Sequence, residues 1–150
     1  MAELRRVAAV AALLGLAGCG RLQWREVDAR LRHVSERARQ TGFAALAGRN
    51  NEFGAFSDSG TVRWAVTLDP LRPYFLAAVC TEHCRGLDLT VSMPDSTLIA
   101  QDSSGAPDAR VMFIAPVEGT YPVRLRIAGC ASGTCRWAAQ LYTRGVNESR

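Results

Sequence analysis

Apolar and polar residues alternate along several short segments between residues 61 and 143, and this period of two is typical of half-buried β-strands. Two further segments, residues 73–80 and 110–115, are apolar on both faces, as in strands buried on both sides. The positions expected to face inward are Trp64, Val66, Leu68, Leu87, Leu89, Val91, Met93, Tyr121, Val123, Leu125, Ile127, Trp137, Ala139 and Leu141. Seven or eight such strands, separated by turn residues, predict a mainly β fold, an antiparallel β-sandwich of the jelly-roll type.

Residues 20–42 follow a different period, because apolar side chains recur there every three or four positions and predict one amphipathic helix ahead of the sandwich. The stripe consists of Trp24, Val27, Leu31, Val34, Ala38 and Thr41. Gly42 is placed to cap the end of this helix. Since the stripe is shorter than three heptads and ends in small residues, we expect the helix to fold back on its own domain. A short coiled coil or a partner-binding helix is the alternative.

The start of the chain has the pattern of an export signal. Charged residues near the first methionine are followed by twelve uncharged residues, 7–18, which are too few to span a bilayer. This run ends in Leu16, Ala17, Gly18 and Cys19, which resembles the lipobox of bacterial lipoproteins at all four positions. The resemblance implies cleavage after Gly18, diacylglycerol on Cys19 and acylation of the new amino terminus. An ordinary signal peptide or a buried N-terminal helix is the alternative.

Gly20, which follows the cysteine, favours the outer membrane, because an aspartate at that position favours retention in the inner membrane of enteric bacteria. The chain then divides into a signal peptide (1–18), a lipidated N terminus with the helix (19–42), the sandwich (43–143) and a flexible tail (144–150). Within the sandwich, residues 43–60 indicate one or two short edge strands. Pro122 predicts an edge strand or a bulge, because proline has no N–H for a central ladder.

Four cysteines remain besides Cys19, and an even number in an exported chain indicates two disulfides. Among the three possible connectivities we favour the local pairs Cys80–Cys84 and Cys130–Cys135. The second pair flanks a four-residue loop, which predicts that the two cysteines face each other at the mouth of a β-hairpin. The alternative is a zinc site formed by Cys80, His83 and Cys84, which the spacing and the oxidising compartment disfavour.

Residues 87–102 and 110–127 carry an Asp-Leu strand, an aspartate that closes the next strand, and an Ala-Pro-x-x-Gly-x-Tyr turn. The matching positions are Asp88, Leu89, Val91, Asp102, Ala115, Pro116, Gly119 and Tyr121. Through them, residues 61–143 resemble the bacterial pre-peptidase C-terminal domain, and also bacterial lipoproteins or secreted proteins with a Cys-x₃-Cys ahead of the Asp-Leu motif. The resemblance implies a jelly-roll sandwich that is not itself catalytic, some members of which bind calcium or extracellular polymer. The same residues also have a purely structural interpretation as turn and strand-end residues.

Composition excludes several chemistries. The net charge is +4, and every one of the 18 basic residues is arginine, so lysine Schiff bases and lysine-containing phosphate loops are absent. The positive charge is spread along the chain, which is not the clustered pattern of a nucleic-acid-binding protein. Only His33 and His83 could act as bases near neutral pH, and no nucleophile or metalloprotease motif accompanies them. We therefore expect a protein that is not an enzyme, with a small hydrolase or inhibitor using the loop around His83 as the alternative.

A binding surface is the remaining possibility. Arg124 and Arg126 share the outward face of one predicted strand, and Arg136 joins them across the hairpin if the register allows. Such a patch suits acidic polysaccharide, lipopolysaccharide phosphate or an envelope protein. The alternative, which the sequence favours, is a solvated edge strand whose arginines guard against aggregation. Calcium-dependent polymer binding is a further alternative, and its candidate aspartates on or near loops are Asp88, Asp95, Asp102 and Asp108. The sequence thus predicts a lipid-anchored interaction or structural module without a cofactor.

Overall fold

The computed structural model describes residues 2–46, 51–131 and 133–145, with side chains from residue 21 onward. Within these residues one helix, α1 (Ala2–Gln40), precedes nine strands. The strands are β1 (Phe43–Ala45), β2 (Asn51–Phe56), β3 (Gly60–Leu68), β4 (Pro73–Cys80), β5 (Cys84–Ser92), β6 (Leu98–Asp102), β7 (Asp108–Ile114), β8 (Gly119–Cys130) and β9 (Cys135–Arg144). The expected short edge strands between residues 43 and 60 are β1 and β2.

The strands form two antiparallel sheets that face each other. In sheet A the order is β1-β9-β4-β7, and β2 pairs with the first part of β9 while β1 pairs with its last part. In sheet B the order is β3-β8-β5-β6. The predicted mainly β antiparallel sandwich is therefore confirmed. Its core contains the predicted inward positions, of which Trp64 and Met93 are only partly buried.

Helix α1 packs on the outer face of sheet A, so the expectation that it folds back on its own domain is confirmed. Val27, Val34 and Ala38 are buried against the sheet. Residues of β1, β4 and β9 complete this second apolar cluster, namely Phe43, Ala77, Val79, Ala138 and Tyr142. Thr41, expected at the end of the stripe, is exposed because the helix ends at Gln40. Gly42 caps it with φ of 84° and an N–H that donates to the Arg39 carbonyl at 3.0 Å.

The helix begins well before residue 20 and includes the backbone of the segment that resembles a signal peptide. None of the helical residues described forms a stretch both long and apolar enough to cross a bilayer. The side chain of Cys19 lies outside the described residues, and so do residues 146–150 of the predicted tail. Arg144, the first residue of that predicted tail, is the last residue of β9.

Two strand-level expectations are wrong. Residues 110–115 were expected to be buried on both faces, yet Met112 and Ile114 are 65% and 58% exposed. The reason is that α1 packs over β9 and β4, whereas β7 lies at the edge of sheet A beyond the helix. Pro122 was expected at an edge or a bulge, but β8 is a central strand. Proline is tolerated there because the register between β5 and β8 runs only from Cys130 to Val123 and does not include Pro122.

The structure forms the two favoured disulfides, Cys80–Cys84 and Cys130–Cys135, with Cα separations of 6.1 and 5.8 Å. The predicted hairpin around the second pair is wrong, because β8 belongs to sheet B and β9 to sheet A. Each disulfide instead closes a short connection that passes from one sheet to the other. Both connections lie at the same end of the sandwich, since Cys84 is directly opposite Cys130 in sheet B.

Candidate functional site

The outer face of sheet B carries the arginines that the sequence singled out. Along β8 the buried residues alternate with exposed ones, so Arg124 and Arg126 both point away from the core. In β3 the same alternation directs Arg63 outward, whereas its neighbour Trp64 points into the core. The antiparallel register then places Arg63 directly opposite Arg124. Three arginines therefore occupy neighbouring positions on one open sheet face.

Arg126 has an acidic partner on the adjacent strand. Asp88 of β5 lies opposite Arg126 in the register, and the Arg126 Nε donates to Asp88 Oδ2 at 3.0 Å. Both side chains are partly exposed, at 57% for Arg126 and 26% for Asp88. An exposed ion pair of this kind stabilises a protein only slightly, by about 0.2–1 kcal/mol. Its main effect here is to neutralise one of the three positive charges on this face.

Arg63 and Arg124 lack such compensation. Among the described residues, no carboxylate lies within 4.0 Å of either guanidinium. Their cross-strand position makes the arrangement unfavourable, because like charges directly opposite on an antiparallel pair repel each other. The other cross-strand neighbour of Arg124 is the uncharged Thr90 of β5. The pair is thus a concentrated and unneutralised positive charge on a rigid scaffold.

Thr90 adds an unusual polar group beside this pair. Its side chain faces outward, but the residue is only 8% exposed. Its Oγ1 is buried and forms no hydrogen bond with any described residue. A buried hydroxyl without a partner costs about 1–3 kcal/mol, so such groups are rare in folded proteins. Thr90 and Ser92 line a surface depression of about 270 Å³ together with Arg63 and Arg124.

Arg136, the third predicted member of the patch, lies elsewhere. It belongs to β9 of sheet A, because the chain crosses between the sheets after Cys130. Its guanidinium carbon is 4.8 Å from the centre of the Trp24 ring on α1, which is a cation–π contact on the helix side of the sandwich. The sequence analysis missed Arg63, although its alternation with Trp64 was a usable signal. Only the register between β3 and β8 shows that it lies opposite Arg124.

The two histidines do not assemble a catalytic group within the described part of the chain. The His83 side chain is 46% exposed on the tight turn between Cys80 and Cys84, and its Nε2 lies 3.6 Å from Glu82 Oε1. None of the side-chain hydroxyls described forms a hydrogen bond with its imidazole. His33 is exposed on α1. Nothing in this geometry supports a nucleophile activated by either imidazole.

Each of the four candidate calcium-binding aspartates already interacts with an N–H group or an arginine of the protein itself. Asp88 is paired with Arg126, and Asp108 with Arg110. Asp95 accepts the Thr97 N–H at 2.9 Å, and this hydrogen bond lowers the pKa of Asp95. Among the described residues, these aspartates do not form a group of three or more close enough to bind one metal ion.

Asp102 shows most clearly how these carboxylates serve turns. Its oxygens accept the N–H groups of Ser104 and Arg110 at 2.9 and 2.8 Å. Burial by itself would raise the pKa of Asp102, but these hydrogen bonds outweigh it and lower the pKa. The purely structural interpretation of Asp102, that it binds backbone amides in a turn, thus agrees with the geometry.

Within the described residues, the one group of three potential metal ligands consists of Cys80, Cys84 and Cys135, whose sulfurs lie within 4.8 Å of one another. All three belong to disulfides, so they offer no thiolate to a zinc ion. His83 is not part of the group. The zinc alternative suggested by the sequence therefore has no support in the structure.

Comparison with known proteins gives no family, since no family model and no curated protein matches this chain. The fold is similar to PliG of Aeromonas hydrophila, a periplasmic inhibitor of g-type lysozyme (9% identity, 63% of this chain, 84% of that chain, TM-score 0.41). It is also similar to a chain in the structure of accessory secretory protein 1, 2 and 3 from Streptococcus pneumoniae (12% identity, 69% of this chain, 87% of that chain, TM-score 0.42). A third similar structure is a carbohydrate-binding module of lichenase 5A from Cellvibrio mixtus (6% identity, 68% of this chain, 92% of that chain, TM-score 0.39). Likenesses of this size carry no information about ligand or activity.

Proposed function

We propose that this protein is a non-catalytic, lipid-anchored module of the bacterial envelope that binds acidic polysaccharide on the outer face of sheet B. The observation that carries the proposal is the cross-strand pair Arg63 and Arg124, which has no acidic partner among the described residues. A planar guanidinium matches carboxylate, phosphate and sulfate groups with two parallel hydrogen bonds. Two of them directly opposite each other on neighbouring strands can hold one acidic group of a polymer from both sides.

The architecture supports this choice of face. Helix α1 covers the outer side of sheet A with Val27, Val34 and Ala38, which removes that face from use. Among the described residues no helix packs on the outer side of sheet B, where Arg63, Arg124 and Arg126 are exposed. A binding surface on strands is also held more rigidly than one on loops. The open face and the helix therefore lie on opposite sides of the sandwich.

The location follows from the cysteines. Two disulfides indicate an extracytoplasmic protein, because thiols stay reduced in the cytosol. The resemblance of residues 16–19 to a lipobox adds an acyl anchor on Cys19, with the outer membrane as the favoured site. Since Cys19 lies on α1, the anchor would attach at the helix side and leave sheet B directed away from it. The resemblance to the pre-peptidase C-terminal domain supports a module without catalysis.

The binding claim is tested with three dextrans that share one backbone: carboxymethyl dextran, dextran sulfate and unsubstituted dextran. We expect the purified protein to bind the first two and not the third, measured by biolayer interferometry at low ionic strength. The double variant Arg63→Gln/Arg124→Gln should lose at least about tenfold in affinity, because two charge-assisted contacts disappear. Asp88→Asn/Arg126→Gln is the matched control, since it removes the neutral ion pair without changing the net charge of this face. Equal losses in both variants, or binding to unsubstituted dextran, would overturn the proposal.

The anchor is tested by intact-mass measurement of the protein extracted from membranes. We expect a chain that lacks residues 1–18 and carries acyl groups on Cys19. Two or three acyl chains bind a membrane far more firmly than one, so the Cys19→Ser variant should leave the membrane fraction or remain unprocessed. A Cys19→Ser protein that is processed and still sediments with membranes would refute the anchor.

A further inference from the structure

Two unfavourable features meet at one place on the outer face of sheet B. The first is the pair of like charges formed by Arg63 and Arg124. The second is the Thr90 hydroxyl, which is buried and without a partner among the described residues. A single ligand that carries negative charge and several acceptor oxygens would relieve both. The coincidence points to a built site rather than to a solvated sheet face.

We propose that Arg63, Thr90, Ser92 and Arg124 form a subsite for a tetrahedral oxyanion, the phosphate or sulfate group of an esterified polymer. The inference rests on the proposed function of this face and names the chemical class that the face selects. Phosphate and sulfate groups share three terminal oxygens and a compact shape. The geometry of the site therefore does not distinguish a phosphate ester from a sulfate ester, and the experiments below do.

The register explains why these side chains converge. Arg124 lies on the central strand β8, with Arg63 opposite it on β3 and Thr90 opposite it on β5. Neighbouring strands are about 4.8 Å apart, so the three side chains form one row across the sheet. Ser92 lies two residues along β5 from Thr90 and therefore points to the same face. Two guanidinium groups and two hydroxyls thus surround one depression.

The number of donors favours a tetrahedral group over a carboxylate. A bidentate arginine uses one lone pair on each of the two carboxylate oxygens, so the second arginine and the Thr90 hydroxyl would have to share the same two atoms of a flat group. A sulfate or phosphate ester offers a third terminal oxygen, which can accept a hydrogen bond from Thr90 Oγ1 once the Thr90 side chain rotates to bring this buried hydroxyl to the depression. The depression, of about 270 Å³, also provides room well beyond the roughly 30 Å³ that one water molecule occupies in the liquid.

The adjacent row of the sheet sets a boundary to the subsite. Asp88 and Arg126 lie two residues along β5 and β8 from Thr90 and Arg124, on the same face. Their ion pair places a carboxylate beside the row of arginines. Because the pair is neutral overall, it offers no net attraction to an anion that shifts along the strands towards Arg126. The bound group is thereby confined to the side of the face that contains Arg63 and Arg124.

The first test uses inorganic sulfate and inorganic phosphate as probes, with acetate at equal ionic strength as the comparison. We expect sulfate and phosphate to raise the melting temperature of the purified protein in a saturable way, because they bind the native state. Acetate should have a much smaller effect. Arg124→Gln should abolish the rise, whereas Asp88→Asn/Arg126→Gln, which removes a neutral ion pair, should change the apparent sulfate affinity by less than twofold. A rise that is identical for acetate and sulfate would overturn the inference.

The second test separates a ligand-binding role of Thr90 from a structural one. Thr90→Val keeps the shape and removes the hydroxyl, so we expect a higher melting temperature without ligand and a fivefold to tenfold weaker affinity for sulfate. Thr90→Ser restores the hydroxyl and should restore sulfate affinity to within twofold. A Thr90→Val protein that binds sulfate as tightly as wild type would refute the assignment of Thr90. Lower stability in the absence of ligand would also contradict it, since the hydroxyl would then have a partner.

Dextran sulfate, dextran phosphate and carboxymethyl dextran distinguish this inference from the proposed function. Binding to the sulfated or phosphorylated polymer at least fivefold tighter than to the carboxymethyl polymer supports the subsite, and the stronger of the two identifies the source. Equal binding to all three leaves the proposed function standing and overturns the subsite. Binding of inorganic sulfate without any binding of the polymers supports the subsite and overturns the proposed function.

Discussion

The two outer faces of the sandwich differ in what covers them. On sheet A, outward residues of β4 and β9 such as Val79, Ala138 and Tyr142 are apolar, and helix α1 buries them. On sheet B the outward positions include Arg63, Arg124 and Arg126, and they remain open. Alternation therefore identifies the core in both sheets, whereas the outward residues show whether a third layer follows. The uncovered face is the one available to a ligand.

The largest expected effect comes from placing a charge under the helix. Val27 is fully buried between α1 and sheet A, so Val27→Asp should reduce the free energy of unfolding by roughly 3–5 kcal/mol, the cost of a buried charge without a partner. Ala65→Asp places the same carboxylate on the open face of β3, where it should cost less than about 1 kcal/mol. Urea unfolding followed by circular dichroism measures both. Similar costs in the two variants would show that the faces do not differ as described.

A smaller effect concerns the polar contact between helix and sheet. The hydroxyls of Ser35 and Tyr142 lie 2.6 Å apart across the interface. Tyr142→Phe should lower the free energy of unfolding at neutral pH by about 0.5–1.5 kcal/mol, because the bond is lost and Ser35 keeps an unpaired hydroxyl. The double variant with Ser35→Ala should cost less than the sum of the two single changes. Full additivity would mean that the two hydroxyls do not interact in solution.

The same tyrosine predicts a pH dependence. Burial raises the pKa of Tyr142 above its ordinary value of 10.0, although the Ser35 hydrogen bond and the charge of Arg39 oppose it. The native protein then keeps a proton that the unfolded chain loses, so the contribution is present below pH 10.0 and falls above it. Burial raises the pKa of Tyr74 as well, so Tyr142→Phe should remove only part of this decline. Urea unfolding between pH 8 and about 11 tests this, and an unchanged decline in Tyr142→Phe would contradict it.

The smallest effects lie on the open face and have opposite signs. Arg124→Gln should raise the free energy of unfolding by about 0.2–0.5 kcal/mol at low salt, because it removes a like charge opposite Arg63. Arg126→Gln should lower it by about 0.2–1 kcal/mol, because it removes the ion pair with Asp88. Both differences should shrink in 0.5 M salt through screening, at a Debye length of roughly 4 Å. Changes of the same sign in both variants would mean that the two arginines do not differ in electrostatic environment.

Most of the fold could be predicted from the sequence, because alternation with a period of two is a local property of each strand. Which sheet a strand joins is not local. The loop between Cys130 and Cys135 is as short as a hairpin loop, so the sequence could not show that the chain crosses there to sheet A. That crossing removes Arg136 from the predicted patch and leaves it on Trp24.

The candidate site was harder to predict from the sequence than the fold, because it depends on pairing between strands that are distant in the sequence. Arg63 and Arg124 are 61 positions apart in the sequence and meet only through the register of β3 with β8. The exposure of Met112 in β7 was likewise unpredictable, since it depends on how far the helix extends over sheet A. The chemistry of each side chain could be read from the sequence, but which side chains lie next to one another could not.

The most direct test of the account is the affinity of Asp88→Asn for carboxymethyl dextran, compared with wild type at low ionic strength. The substitution keeps the size of the side chain and releases Arg126 from its ion pair, so a third arginine becomes available to the polymer. The account predicts binding that is tighter by roughly twofold to fivefold, the scale of one exposed charge contact. Affinity that is unchanged or weaker would contradict the claim that uncompensated arginines on sheet B hold an acidic ligand.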